Sequence, residues 1–252
     1  MSTPVQTALG AFVWHDHGSG DPQKAQDFYT ALFGWHVKPM PEINYTAIEA
    51  GGTQHGGFWP PTEAAADLPP QWVGHVLVTD VDETAARAEA AGASFPFGPM
   101  DAPEGRRFAG IRDPEGASFS AYSSPRGEEP PQGVFVWDEL YVDDIEAAKS
   151  FYTEVFGWTT SEMNMAGGQT YTIFSSGEQQ RAGATAKPPG MNVRSHWLAY
   201  IATDDVDGQT AKAKELGADV WMEPFDVPTV GRMALFTDPT GAPFGLFKGE
   251  QQ

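Results

Sequence analysis

Apolar positions along this chain change period in an order that repeats. Residues 10–17 read as a short strand bearing Phe12, Val13 and Trp14. Ala25, Phe28, Tyr29 and Leu32 then fall at i, i+3, i+4 and i+7, the stripe of a helix with one buried face. Asp21 is a good N-cap, Pro22 is tolerated in the first turn, and Gly34 supplies the stop. Segments 35–37, 45–49 and 55–59 read as strands with Gly and Pro punctuation between them. The order restarts with a strand at 72–79 and an alanine-rich helix over 81–91 that Gly92 ends. Strand-like pieces follow at 94–97, 107–112 and 117–122.

The second half of the chain repeats the first. Gly133-Val134-Phe135-Val136-Trp137 echoes Gly10-Ala11-Phe12-Val13-Trp14, and Phe151–Trp158 echoes Phe28–Trp35, each 123 positions on. Trp72/Trp197, Gly92/Gly217, Arg107/Arg232 and Asp113/Asp238 lie 125 apart, a drift that one two-residue insertion explains. The period is too long for a stacking solenoid, so the chain is a duplication of a unit that is itself doubled. The expected division is residues 8–124, a proline-rich polar linker at 125–132, and residues 133–249. Segments 60–70 and 188–192 play the linker's part inside each half.

The helix phrase Asp-x-x-x-Ala-x-x-Phe-Tyr-x-x-x-Phe-Gly-Trp occurs as Asp21…Trp35 and as Asp144…Trp158. The phrase Asp-Pro-x-Gly closes each half at Asp113–Gly116 and Asp238–Gly241, each followed by a strand. Together they resemble the vicinal oxygen chelate superfamily of glyoxalases, bleomycin resistance proteins and ring-cleaving dioxygenases. Within it, the chain resembles tandem glyoxalase-like proteins of the 27-kDa antigen or hydroxylase type. That resemblance implies an α+β fold: four βαβββ modules forming two half-open barrels, each with a ligand cleft. It implies a fold, and activity has to be argued from the site.

The resemblance also implies a divalent metal held by a first-strand histidine and a last-strand carboxylate. Counting from the helix-opening Asp and from Asp-Pro-x-Gly places those ligands at Trp14, Trp137, Val73, Leu198, Ser120 and Gly245, none of them a standard donor. No cofactor is therefore expected. A divalent metal stays open at a shifted set, Asp16, His55 and His75.

The net charge of −19 divides almost evenly, −9 in the first 128 residues and −10 in the rest, and argues against nucleic acid and anionic lipid as partners. No cysteine is present, which excludes disulfides and thiolate chemistry, and no long apolar run or basic leader marks a membrane or secretory segment. A cytoplasmic monomer or homodimer acting on a small molecule is the expectation.

Side chains two apart on a strand share a face, so Asp16 and His75, with Glu139 and Tyr200 as their counterparts, are expected to face the clefts. Five of six histidines (His15, His17, His36, His55 and His75) fall in the first half; only His196 falls in the second. Asp16 beside His75 makes a workable acid–base pair, with His55 a third candidate, because a carboxylate fixes the imidazole tautomer and raises its pKa. His15 and His17 are expected on the opposite face of their strand. Trp14, Phe58, Trp59, Arg107, Tyr122, Glu139 and Tyr200 are the candidate ligand contacts. Three functions follow: metal-independent lyase or isomerase chemistry in the N-terminal barrel, sequestration of a ligand or drug, or metal-dependent lyase or dioxygenase chemistry at the shifted set.

Overall fold

The computed structural model describes residues 8–59, 68–125, 131, 133–165, 170–188, 190 and 193–250. Most of the expected linker 125–132, and parts of segments 60–70 and 188–192, lie outside these. The first half runs β1 (Phe12–Gly18), α1 (Pro22–Phe33), β2 (His36–Met40), β3 (Tyr45–Ala50), β4 (Thr53–Trp59), β5 (Gln71–Leu77), α2 (Val81–Ala90), β6 (Ser94–Ala102), β7 (Arg106–Arg112) and β8 (Ser118–Ser123). The second repeats it as β9 (Phe135–Val142), α3 (Ile145–Phe156), β10 (Thr159–Asn164), β11 (Thr170–Ser176), β12 (Gln179–Ala186), β13 (His196–Ala202), α4 (Val206–Glu215), β14 (Asp219–Val227), β15 (Gly231–Thr237) and β16 (Pro243–Gly249).

Each half builds one eight-stranded sheet, in the orders β2-β3-β4-β1-β5-β8-β7-β6 and β10-β11-β12-β9-β13-β16-β15-β14. The first strand of every module pairs parallel with its last, which requires the intervening helix as a crossover. The sheets are open, not closed barrels. Among the described residues no helix is long and apolar enough to cross a membrane.

The helix ends follow from the sequence. Asp21 accepts from the Lys24 amide and Asp144 from the Glu146 and Ala147 amides, while Gly34 and Gly157 close α1 and α3 in the left-handed conformation at φ 70° and 69°. Register corrects one detail of the duplication. His36 pairs with Glu49 and Thr159 with Ser175, so the offset steps from 123 to 126 between these strands. It falls back to 125 by Trp72/Trp197, so the net drift of two is a gain of three and a loss of one.

By packing, the chain resolves into two compact units that cut across the repeats. One comprises residues 1–14, 74–130 and 137–197, and the other residues 15–73, 131–136 and 198–252. In the first unit Phe119, Phe151, Tyr152, Val155, Trp158 and Phe174 are buried around α2 and α3. There the Arg87 Nε of α2 donates to the Val155 carbonyl near the α3 C-terminus at 3.1 Å. In the second unit Phe28, Tyr29, Leu32, Trp72, Phe236 and Phe244 are buried around α1 and α4. There Lys212 Nζ donates to the Leu32 carbonyl at 3.0 Å, the same device from the equivalent helix. Full burial of each large apolar side chain is worth about 1.5–3 kcal/mol, so the stripes read from the sequence supply much of the driving force.

Candidate functional site

On β1, Asp16 is half-buried and accepts a hydrogen bond from Tyr45 Oη at 2.6 Å. Tyr45 opens β3, and Asp16 lies opposite Gly57 in the parallel β1–β4 register. A Cβ on Gly57 would run into the Tyr45 ring and hydroxyl, so the missing side chain is what lets the phenol reach the carboxylate. The second half builds the same arrangement. Tyr171 Oη donates to Glu139 Oε2 at 2.8 Å, Trp137 Nε1 donates to Tyr171 Oη at 2.8 Å, and a Cβ on Gly183 would collide with the Tyr171 hydroxyl. Burial and then the Glu139 charge push the Tyr171 phenol far above its usual range, so it stays a neutral donor. The carboxylates differ in exposure: Glu139 is 8 % exposed and Asp16 is half-buried, although both hydrogen bonds are partly buried.

Tyr45 and Tyr171 are absent from the sequence-derived candidates. The other expected residues divide. His55 is buried on β4, and its Nε2 donates to the Ala50 carbonyl at 3.1 Å. Burial, the largest cause, holds its pKa below the usual histidine range. His75, on β5, is buried with its ring edge-to-face with Phe108 and Tyr122, at 6.5 and 6.1 Å between centroids. Asp16 and His55 belong to one compact unit and His75 to the other. Among the described residues no three His, Asp or Glu side chains are grouped so as to hold a metal ion. The shifted set Asp16, His55 and His75 is therefore not assembled. With the ligand positions that the resemblance implies also lacking standard donors, the described residues do not fit a divalent metal, and no step is derived through one.

Of the expected ligand contacts, Phe58 is wholly buried and packs on Tyr29, Trp72 and His17. Trp14 and Trp59 are half-buried, with the Trp59 ring against Gly18. Tyr122 and Tyr200 are buried, and Tyr200 lies where a Cβ on Gly245 would stand. Arg107 is held by carboxylates of its own scaffold: its Nε and Nη2 grip both Asp82 oxygens at 2.7 Å, and its Nη1 binds Asp101 at 2.7 Å. Arg232 makes the same fork with Asp207 and Asp226, so this is a brace common to both repeats.

His15 and His17 lie away from the Asp16 carboxylate. His15 stacks on Phe135 at 4.1 Å, and His17 is fully buried among Tyr29, Phe58 and Trp72. His17 Nε2 donates to Asp238 Oδ2 at 2.8 Å. Trp72 Nε1 donates to Tyr29 Oη at 2.8 Å, and Tyr29 is also hydrogen-bonded to Asp238. In the other unit Trp197, Tyr152 and Asp113 form the equivalent relay at 2.9 Å per step, but Leu140 occupies the place of His17. The consequence is electrostatic. Burial pushes Asp113 above the usual carboxylate range, with Tyr152 and backbone donors opposing it only in part. Burial pushes Asp238 upward too, but the His17 bond and charge outweigh it and hold the group below that range.

Known proteins bear on this geometry. The chain is 34% identical over 248 residues to the putative glyoxylase CFP32 of Mycobacterium tuberculosis, covering 95% of both chains. It is 36% identical over 129 residues to the anthracycline biosynthesis protein DnrV of Streptomyces peucetius, covering 46% of this chain and 47% of that one. A solved catechol 2,3-dioxygenase superposes with a TM-score of 0.66 at 15% identity, over 96% of this chain and 89% of that one, a likeness of fold alone. The model of the Glyoxalase/Bleomycin resistance protein/Dioxygenase superfamily matches twice, over residues 17–120 and 134–246. The chain therefore belongs to the glyoxalase, bleomycin resistance protein and dioxygenase superfamily, with a doubled unit that carries a carboxylate–tyrosine pair in each copy.

Proposed function

We propose that this protein is an acid–base enzyme of the lyase or isomerase type, acting on a small, oxygenated, partly apolar metabolite in its first half. The observation that carries the reading is the Tyr45–Asp16 pair, built over Gly57 and repeated in the second half, with the carboxylate more exposed in the first than in the second. Asp16 removes a proton from carbon or oxygen next to a carbonyl. Tyr45 spends its one O–H proton on Asp16 Oδ1 at 2.6 Å, which fixes the carboxylate and leaves Oδ2 to take the substrate's proton. Tyr45 thus takes the place expected for His75 as the partner of Asp16. Glu139 keeps a bracing role, because its carboxylate is the less exposed of the two, at 8 %. The relatives named as a glyoxylase and as an anthracycline biosynthesis protein suggest which compounds to try first: 2-oxoaldehyde adducts of thiols, and anthracycline-type aromatic polyketides.

The test incubates the protein with that panel in D2O and follows products by mass spectrometry. The expectation is a new or deuterated product whose rate falls about 10²–10⁴-fold in Asp16→Asn. Tyr45→Phe is expected to lower the rate by roughly tenfold through lost orientation. A compound that binds and returns unchanged and undeuterated after long incubation would instead make the protein a sequestering one.

A further inference from the structure

Ser94, Arg112 and Ser118 stand in one row across three neighbouring strands of the first half. Ser94 of β6 pairs with Arg112 of β7, and Arg112 pairs with Ser118 of β8. Their chain neighbours Ile111 and Phe119 form a pair that is buried around α2, so the row lies on the other face of the sheet. We infer that this row is a binding site for a small carboxylate, with the Arg112 guanidinium as its anchor and a serine hydroxyl on either side. All three residues belong to one compact unit and Asp16 to the other, so no role of Asp16 is required for it.

Arg112 decides the chemistry. Acids are plentiful in this chain, 34 against 15 Lys and Arg, and Arg87, Arg106, Arg107 and Arg232 each meet a carboxylate of their own scaffold. Arg112 meets none. Among the described residues its guanidinium has no ion-pair or hydrogen-bond partner, although the side chain is half-buried. Its chain neighbour Asp113 is taken up by the Tyr152 hydroxyl and by the Glu115 and Ala117 amides. A half-buried cation without an acid carries a desolvation cost that an incoming anion offsets. The guanidinium fork matches the two oxygens of a carboxylate. Ser94 is exposed and Ser118 is 6 % exposed, and each hydroxyl can donate to a remaining lone pair. Two residues before Arg112, Gly110 pairs with Phe97, whose ring lies where a Cβ on the glycine would stand. That ring is an apolar neighbour for the body of the ligand. One negative charge suits the row better than two, because the net charge of −19 repels each that is added.

The duplication gives an independent contrast. The equivalent row in the second half, 125 residues on, is Asp219, Thr237 and Pro243, paired in the same register. There the cation is gone, a carboxylate replaces one serine, and a proline removes the other hydroxyl. The adjoining pair changes too, from Gly110 and Phe97 to Leu235 and Met222. The bracing arginine of the scaffold recurs in both halves, as Arg107 and Arg232, and Arg112 does not. The same backbone thus carries a row that attracts an anion in one copy and a row that repels it in the other. The fold alone does not ask for Arg112.

The experiment titrates benzoate into ¹⁵N-labelled full-length protein and follows the arginine Nε–H resonances, with benzamide as the neutral isostere and inorganic phosphate as a second anion. The Arg112 resonance, identified by its loss in Arg112→Thr, is expected to shift saturably, with benzoate at least about tenfold tighter than benzamide or phosphate. Arg112→Thr, which installs the second half's residue, is expected to weaken benzoate binding by about tenfold or more while leaving the urea midpoint unchanged. Arg112→Lys keeps the charge and loses the fork, and is expected to weaken binding several-fold. Ser94→Ala, at an exposed position, is also expected to weaken it several-fold, which covers the case of Arg112 variants that fail to fold. Benzoate binding by Arg112→Thr as tight as by wild type, equal binding of benzamide, or the lack of a saturable shift at Arg112 would overturn the site. Phosphate binding tighter than benzoate would overturn the carboxylate assignment.

Discussion

Replacing Gly57 by alanine puts a methyl group where the Tyr45 ring lies against β4. The added Cβ meets ring carbons and the hydroxyl oxygen themselves, so either the strand shifts or the ring swings away from Asp16. Overpacking of this kind costs about 1–3 kcal/mol. Losing a hydrogen bond to a charged acceptor adds roughly 1.5–3 kcal/mol unless water replaces the donor. Asp16 is half-buried, so water can do so, and the expected total for Gly57→Ala is about 2–3 kcal/mol. Gly183→Ala strikes the twin pair, where Glu139 is only 8 % exposed and water replaces Tyr171 poorly. Its expected cost is about 3–5 kcal/mol. Urea denaturation of the two variants measures this order directly, and at this chain length each kcal/mol moves the melting temperature by about 2–4 °C. Activity is expected to divide the other way, with Gly57→Ala losing turnover and Gly183→Ala retaining it while folded. A Gly57→Ala protein within about 0.5 kcal/mol of wild type and fully active would refute the claim that the glycine exists to seat the phenol.

Other expectations follow from the same geometry. Tyr152→Phe removes both the acceptor of Trp197 Nε1 and the donor to Asp113 in a fully buried setting, and is expected to cost about 2–4 kcal/mol in thermal or urea unfolding. Burial lowers the pKa of His55 and of His196 in the folded protein, so the unfolded chain binds more protons as pH falls. Stability should therefore decline as pH drops through about 6.5 toward the folded values, and His55→Gln should flatten that slope in urea titrations between pH 5 and 8. Arg107→Ala is expected to leave KM unchanged on any substrate found, because its fork is filled by Asp82 and Asp101; a raised KM would return it to the ligand site.

The fold was legible because its cues are local. Helix stripes, Asp caps, glycine stops and two repeated phrases each act within a few residues, and their doubling set the module order. The acid after each tryptophan, Asp16 and Glu139, was legible for the same reason. Their tyrosine partners were not, because the three-residue step between β2 and β3 puts Tyr171 at 126 from Tyr45. Neither the 123 nor the 125 register aligns the two. The bond from His17 to Asp238 spans 221 positions and joins opposite ends of the chain, so no spacing could announce it. The brace of Arg107 to Asp82 and Asp101 was not legible, because a strand arginine looks alike in sequence whether it meets a substrate or a carboxylate on its own scaffold. The shifted metal set presumed that three side chains converge, and convergence is settled by strand pairing and twist.

The central claim is that the proton chemistry belongs to Asp16 and not to its buried twin. Deuterium uptake from D2O into one identified substrate, compared among wild type, Asp16→Asn and Glu139→Gln, tests it most directly. The account predicts a loss of about 10²–10⁴-fold for Asp16→Asn and a rate within about twofold of wild type for folded Glu139→Gln. Undiminished uptake by Asp16→Asn, or a loss that follows Glu139 instead, would contradict it.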